Sequence, residues 1–348
     1  IRHKPLLELV EELKPIVPSN IDGFFFTNSG AESVEGAVKL ARQATGKPNI
    51  IVFQGSFHGR TVGTMSLTTS KTIYRSGYQP LMAGVFVAPY PYAFRYGWDE
   101  EKTSQWCLEE LELLLLTQTS PEETAAILIE PVLGEGGYVV PPVSFMKGLR
   151  EICDRNGILL IADEVQSGVG RTGKWFAIEH FGIQPDIMTV AKGIASGMPL
   201  AGVFSPMDLM KKWTPGSHGG TYGGNAVAVA AAVATLKAIK DEKLILNAQQ
   251  RGEQLVTGLR KLQEEYPIIA DIRGKGLMIG TEIRTSSRKP DKATAKALIH
   301  ACLDRNFILI SCGPWDNTIR WIPPLVVSES EIFKALDIFR ESLKEVCK

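Results

Sequence analysis

Between residues 50 and 204 the chain repeats one pattern, a short continuously apolar run followed by a longer stretch of mixed polarity. The runs fall at 50–53, 85–87, 126–129, 158–162, 187–190 and 201–204. A strand with one wet face alternates apolar and polar positions. Runs without alternation therefore predict strands buried on both faces, in a sheet covered by helices. Helical spacing predicts helices over 31–44, 103–116 and 144–156, the last closed by Gly157 as a cap. Strands alternating with helices in this way predict an α/β fold with a largely parallel sheet.

Past Gly224 the pattern changes. An Ala/Val-rich helix is expected over 225–240, with small side chains on every face and hence buried. Polar helices over 242–266 and 292–306 then frame strands at 268–273, 277–283, 308–311 and 318–322, and a last helix starts at Glu329. The residues 285–291 form an exposed loop, and there are no internal repeats. We expect a large domain over 1–245 and a smaller C-terminal α/β domain over 246–348. Ile1 is not an initiator Met, and residues 5–13 read as a helix already under way. The expectation is that the chain lacks its natural N-terminus.

Composition narrows the function. A hydrophobic share of 44% with 22% charged residues excludes disorder as a description of the whole chain. The 38 basic residues cancel the 38 acidic ones, and no local basic stripe is found, so neither nucleic acid nor a membrane is an expected partner. The longest apolar runs, such as 113–116, are far too short to span a bilayer. Cys107, Cys153, Cys302, Cys312 and Cys347 are scattered without CxxC spacing, which predicts reduced thiols, a reducing compartment such as the cytoplasm, and no zinc site.

Three glycine- or histidine-bearing motifs carry little chemistry. Gly168-Val-Gly-Arg-Thr-Gly-Lys174 matches the start of a phosphate loop, but Trp175 stands where a magnesium-binding hydroxyl belongs. Gly274, Gly276 and Gly280 lead into a strand rather than a helix, unlike a dinucleotide fingerprint. His218 has no second metal ligand nearby.

Four other features gain force from their order. Thr27-Asn-Ser-Gly-Ala-Glu-Ser33 is a small polar turn opening a helix, readable as a plain N-cap or as a phosphate cradle. Phe57-His-Gly-Arg60 offers an aromatic in a glycine-containing loop, able to stack on a flat ring or to fill core. Its arginine could grip a carboxylate. Asp163 ends the most apolar run, where an ionised carboxylate needs a cation, either a ligand's or a structural partner's. Lys192 follows another buried run and is flanked by Ala191 and Gly193, surroundings that lower a lysine pKa and make it nucleophilic. Cradle, aromatic, carboxylate and lysine together are what pyridoxal 5'-phosphate requires.

At this point the sequence resembles the class III pyridoxal-phosphate aminotransferases of fold type I, most closely the 4-aminobutyrate and acetylornithine branches. The likeness runs essentially the whole length. It is carried by Thr27-Asn-Ser-Gly-Ala-Glu, Phe57-His-Gly-Arg-Thr, Ile129-Glu-Pro-Val-Leu-Gly-Glu-Gly-Gly137, Ala162-Asp-Glu-Val-Gln-Ser-Gly, Ala191-Lys-Gly and Gly219-Gly-Thr-Tyr-Gly-Gly-Asn225. The resemblance implies that Lys192 holds the cofactor covalently and then carries the proton, with Asp163 paired to the ring nitrogen. It implies that Gln166 bonds the ring's phenolic oxygen, and that Phe57 and Val165 sandwich the ring with His58 beside it. Ser29, Gly30 and Ala31 would hold the phosphate, and Thr221 would reach the phosphate of a neighbouring subunit in a homodimer. Glu130 would lie on the substrate side. Arg60 is similar to the family's α-carboxylate arginine, Arg320 to its second arginine, and Glu135 to the glutamate that gates it; the bland alternative is a purely structural Glu135–Arg320 pair.

The implied reaction moves an amino group from an ω-amino donor, 4-aminobutyrate first, to 2-oxoglutarate in a two-step ping-pong cycle. Acetylornithine or ornithine transamination comes next, then a same-fold aminomutase or decarboxylating transaminase. The rival from another class is a phosphate-loop nucleotide-binding protein. The sequence departs from the family in the further N-terminal stretch, in Phe57 where Tyr is common, and in the double proline Pro323-Pro324.

Overall fold

The structure, a computed structural model, describes residues 3–347; Ile1 lies outside them. Eleven strands form two sheets. The large sheet takes β1 (Gly23–Thr27), β2 (Asn49–Phe53), β3 (Val85–Ala88), β4 (Thr124–Ile129), β5 (Leu159–Asp163), β6 (Ile187–Val190) and β7 (Ala201–Ser205). Their spatial order is β1-β7-β6-β5-β4-β2-β3, and only β7 runs antiparallel to its neighbours.

The unalternating runs are buried on both faces, as their pattern predicts. Ile50, Val52, Leu128 and Ile161 point into one core, against Val34 and Val38 of the helix Gly30–Thr45. Ile51, Phe53, Ile129 and Leu160 point into the other, with Leu111 and Leu149 of the helices Glu100–Thr117 and Val143–Asn156. Gly157 caps the second of these helices at φ 58°.

Two expectations need correction. Gly23–Thr27 is a strand the pattern analysis left unassigned; its three phenylalanines pair with β7, and Phe24 and Phe26 pack edge-on against Phe204. The helix Ala226–Asp241 is not buried all round: Ala228, Val229 and Leu236 face the core, while Val227 is 65% exposed in this single chain. Alanine is neutral enough that an Ala-rich helix hides which face is inside.

The second sheet is antiparallel, in the order β10 (Ile310–Cys312), β11 (Thr318–Trp321), β9 (Met278–Ile283) and β8 (Ile269–Lys275). Helices Leu244–Glu265, Lys292–Leu303 and Glu329–Val346 cover one face, around Trp321 and Phe339. The other face meets the large sheet's loops through Val132, Tyr138, Ala177, Met278 and Cys312.

The phosphate-loop-like segment is part of this junction. Leu277 N donates to Arg171 O at 3.0 Å, and Arg171 Nη1 donates to the carbonyls of Leu277 (3.2 Å) and Pro323 (2.5 Å). Gly276, at φ 53°, approaches so closely that a Cβ there would lie 2.4 Å from the Thr172 carbonyl carbon. Gly276→Ala is therefore expected to destabilise the fold by about 2 kcal/mol or more, because backbone cannot yield as a side chain can. Gly182→Ala is the control, with φ 66° but open space around it, and should cost only about 1 kcal/mol. Chemical denaturation of both variants checks this; equal losses would mean that the close approach is unimportant.

Candidate active site

Five loops leave the C-terminal ends of the parallel strands β1, β2, β4, β5 and β6 and converge there, which is where open α/β sheets build ligand sites. They enclose a cavity of about 350 Å³ lined by Ser29, Gly30, Ala31, Phe57, His58, Glu130, Asp163, Val165, Gln166 and Lys192. Ten of the predicted site residues thus come together.

Asp163 closes β5 and is 4% exposed. A buried carboxylate is costly without partners, and it has three. Its Oδ2 lies 2.7 Å from His58 Nδ1, and its Oδ1 accepts from Val165 N and Thr189 Oγ1, each at 3.1 Å. His58 is held in turn by its own amide, which donates to Thr68 Oγ1 at 3.0 Å. Glu164, fully buried behind it, accepts from Ser167 Oγ (2.6 Å) and Ile178 N (2.7 Å), fixing the turn that carries Val165 and Gln166. Burial pushes the Glu164 carboxyl up to about 7.

Lys192 follows β6 in the left-handed region, at φ 45°, a conformation that costs about 1–3 kcal/mol in a non-glycine residue. Its side chain keeps accessible surface in the open cavity, yet protein surrounds it closely enough that burial lowers its pKa. The carboxylates of Asp163, Glu130 and Glu135 oppose that shift without cancelling it.

At the cavity's far end the helix Gly30–Thr45 begins. Ser29 Oγ caps it by accepting from Glu32 N at 3.2 Å, and Ser33 N bonds Ser29 O. Among the described residues the amides of Gly30 and Ala31 have no acceptor, so they are free for an anion. Gly30 is required there, since a Cβ would lie 2.8 Å from Val165 Cγ1.

A second cavity of about 600 Å³ opens beside the first, and Gln166 and Lys192 line both. Its walls include Glu135, Tyr138, Arg171 and Arg320. Glu135 and Arg320 form a bidentate pair, with Nη1 to Oε1 at 2.5 Å and Nη2 to Oε2 at 3.2 Å. Arg320 is steadied by donating to Ser311 O from Nε (3.1 Å) and Nη2 (3.0 Å).

Two predicted residues, Arg60 and Thr221, lie elsewhere, and a third, Glu130, lines the first cavity with its carboxylate already occupied. Both Glu130 oxygens are taken by backbone donors, Phe57 N at 2.9 Å and Gly134 N at 3.1 Å, and burial raises its carboxyl to about 7. It ties the Phe57 loop to the Glu135 loop inside the first cavity. Arg60 lines neither cavity; its guanidinium lies 5.0 Å from the Tyr74 ring centroid and 5.9 Å from that of Phe57. Thr221 is exposed and also lines neither. Tyr74, Tyr138 and Arg171 were not singled out by motif reasoning. Tyr138, next to Gly137 at φ 56°, carried only the faint signal of a tyrosine ending a glycine run.

These residues fit pyridoxal phosphate. Gln166 Oε1 is buried without a partner beside the cavity, the helix terminus offers two free amides, and a lysine of lowered pKa faces a fully anchored carboxylate. Among the described residues no cluster could hold a metal ion, and no helix is long and apolar enough to cross a membrane.

The titration of Glu164 makes a prediction. A carboxyl whose folded pKa is raised stabilises the fold below its unfolded value, roughly 4.3, and that contribution is lost as pH rises through the folded value, here about 7. Urea unfolding at about pH 5 and about pH 8 should therefore show a smaller loss of stability for Glu164→Gln than for the parent chain. Equal losses in both proteins would contradict the placement of this proton.

Comparison with known proteins shows the family. The family model for aminotransferase class III matches residues 1–343. The chain is 39% identical to the 5-aminovalerate aminotransferase DavT of Pseudomonas putida, over 99% of this chain and 81% of that enzyme. It is also 39% identical to the 4-aminobutyrate aminotransferase GabT of Escherichia coli, over 99% of this chain and 80% of that enzyme. An amine transaminase from an uncultivated Pseudomonas species, solved with pyridoxal phosphate bound, superposes with TM-score 0.93 at 30% identity, covering 99% of this chain and 82% of that one. The chain belongs to the class III aminotransferases, and it is a pyridoxal-phosphate-dependent transaminase of fold type I.

Proposed function

We propose that this transaminase takes its amino group from an ω-amino acid, 4-aminobutyrate first, and passes it to 2-oxoglutarate in a ping-pong cycle. The observation that carries the reading is the Glu135–Arg320 pair in the wall of the cavity that also holds Lys192. A guanidinium already neutralised suits a donor with one carboxylate. The same guanidinium, once Glu135 turns away, suits the extra carboxylate of a dicarboxylate acceptor.

When bound, pyridoxal phosphate supplies an electron-withdrawing ring that takes up the electron pair left on the donor carbon. Lys192 Nζ is assigned the covalent hold on the cofactor and, once released, the transfer of the proton from donor carbon to cofactor carbon. Asp163 would keep the ring nitrogen protonated, and its three contacts prevent it from turning away. Gln166 would bond the ring's polar edge, and Phe57 and Val165, which line the same cavity, would flank the ring. The phosphate goes to Ser29, Gly30 and Ala31. Arg60 has no hydrogen-bond acceptor among the described residues, and its aromatic platform at the rim holds it ready for the α-carboxylate.

The exposed Thr221 is read as serving a neighbouring subunit's phosphate, which makes the working unit a homodimer. The large domain is read as ending near residue 245, since Ile245 packs on the first core and Ala248 belongs to the last. A second donor, 5-aminovalerate, is favoured by the 39% identity to the enzyme of that name. It is one methylene longer, a difference that a pocket discriminates by only about 1–3 kcal/mol.

Arg320→Ala removes a bidentate, charge-assisted contact worth about 2 kcal/mol, so the 2-oxoglutarate half-reaction should slow roughly 30-fold in kcat/KM. The 4-aminobutyrate half-reaction should change less than about fivefold, because uniform binding is little altered. Single-turnover measurements of each half-reaction decide it. Equal losses would show that Glu135 and Arg320 are only a structural pair.

A further inference from the structure

Behind the Glu135–Arg320 pair lies a second guanidinium that the reaction does not use. Arg273, on β8, is part-buried, and it touches both segments that carry the pair. Its Nε donates to Gly137 O at 2.8 Å, and its Nη2 donates to Thr318 Oγ1 at 3.2 Å. Gly137 is two residues beyond Glu135, and Thr318 is two residues before Arg320 on β11. Along one strand, i and i+2 share a face, so Thr318 and Arg320 look the same way.

The remaining donor, Nη1, reaches Asp271 Oδ2 (2.6 Å) and Glu282 Oε2 (2.9 Å), and the guanidinium carbon lies 4.8 Å from the Tyr92 ring centroid. The Tyr92 hydroxyl donates to Glu282, and Arg284 Nε reaches the other Glu282 oxygen at 2.8 Å. Desolvation works against the Arg273 charge, and Tyr92, Glu282 and Asp271 outweigh it, so its pKa is raised. Gly137, at φ 126°, permits the contact: a Cβ there would lie 3.1 Å from Arg273 Nη2.

We propose that Arg273 is a positioning residue for the substrate gate, a fixed bridge from the Glu135 loop to the Arg320 strand. The inference rests on the gating reading above. The bridge keeps the two backbones at constant spacing, so that opening and closing are left to the Glu135 and Arg320 side chains. Gly313 N, donating to Glu135 O at 2.8 Å, adds a second tie on the loop side. A dicarboxylate needs the Arg320 fork in one place, because bidentate contacts are sensitive to displacements of an ångström or less. A monocarboxylate donor needs only the cation neutralised, and tolerates such a shift.

The test is Thr318→Val, which removes one end of the bridge while keeping shape and leaving the Arg273–Asp271–Glu282 cluster whole. Because the loss is one of alignment, the 2-oxoglutarate half-reaction should fall about tenfold in kcat/KM and the 4-aminobutyrate half-reaction less than about twofold. The cofactor-free chain should lose only the modest thermal stability that one unpaired donor costs, and should keep a single cooperative unfolding transition. Arg273→Lys keeps the charge but not the fork, and should give the same selective loss. In an Arg320→Ala background, where there is no fork left to align, the Thr318→Val effect on the 2-oxoglutarate half-reaction should shrink to less than about twofold.

Equal loss in both half-reactions, or an undiminished effect in the Arg320→Ala background, would overturn the proposal and leave Arg273 a structural cluster. If Arg320→Ala itself fails to separate the two half-reactions, the gating reading falls and this inference with it. A clear split for Arg320→Ala with none for Thr318→Val removes only the bridge.

Discussion

The Asp163 carboxylate ends a strand whose other residues are apolar, in a part of the molecule that water hardly reaches. Such a group destabilises its surroundings unless every oxygen has a partner. The partners come from three directions: His58 from the loop after β2, Thr189 from β6, and the Val165 amide from its own turn. Satisfying one carboxylate thereby sets the positions of Phe57, Gln166 and, three residues past Thr189, Lys192. Glu130 and Glu164 extend the same economy, each using two oxygens to fasten loops rather than to face solvent.

The second constraint is the junction between the two sheets. Arg171 fastens it on one side by holding the carbonyls of Leu277 and Pro323, and Arg273 on the other by holding that of Gly137. Arg320 projects between these two clamps to meet Glu135. The small sheet therefore does two things with opposite faces. One packs against three helices and makes a core, while the other brings charged side chains to the large sheet's loops.

Much of this was legible in the chain. The buried strands were readable because both faces are covered, so that unbroken apolar runs have no competing interpretation. Lys192 and Asp163 were readable because each follows such a run. β1 was hidden because its three phenylalanines abut the polar turn at Thr27, which drew attention as a helix start. The helix Ala226–Asp241 was misread because alanine does not reveal its inward face. Arg60 and Glu130 were placed by resemblance to motifs, and motifs carry no information on rotamers: one stacks over Tyr74, the other bonds two backbone amides. The ties that Arg171 makes to Leu277 and Pro323, and Arg273 to Gly137 and Thr318, were invisible because they span 106 to 152 and 45 to 136 residues of sequence. Their worth exists only in the folded molecule.

Lys192 is proposed to hold pyridoxal phosphate, with Asp163 at its ring nitrogen, and to release it to an ω-amino donor. The most direct measurement is the visible absorbance of the purified protein with pyridoxal phosphate, before and after 4-aminobutyrate is added without any acceptor. A Schiff-base band is expected that bleaches with the donor and returns with 2-oxoglutarate, while Lys192→Ala shows only the absorbance of the unreacted aldehyde. A band of the same kind in Lys192→Ala, or no band in the parent chain, would contradict this role.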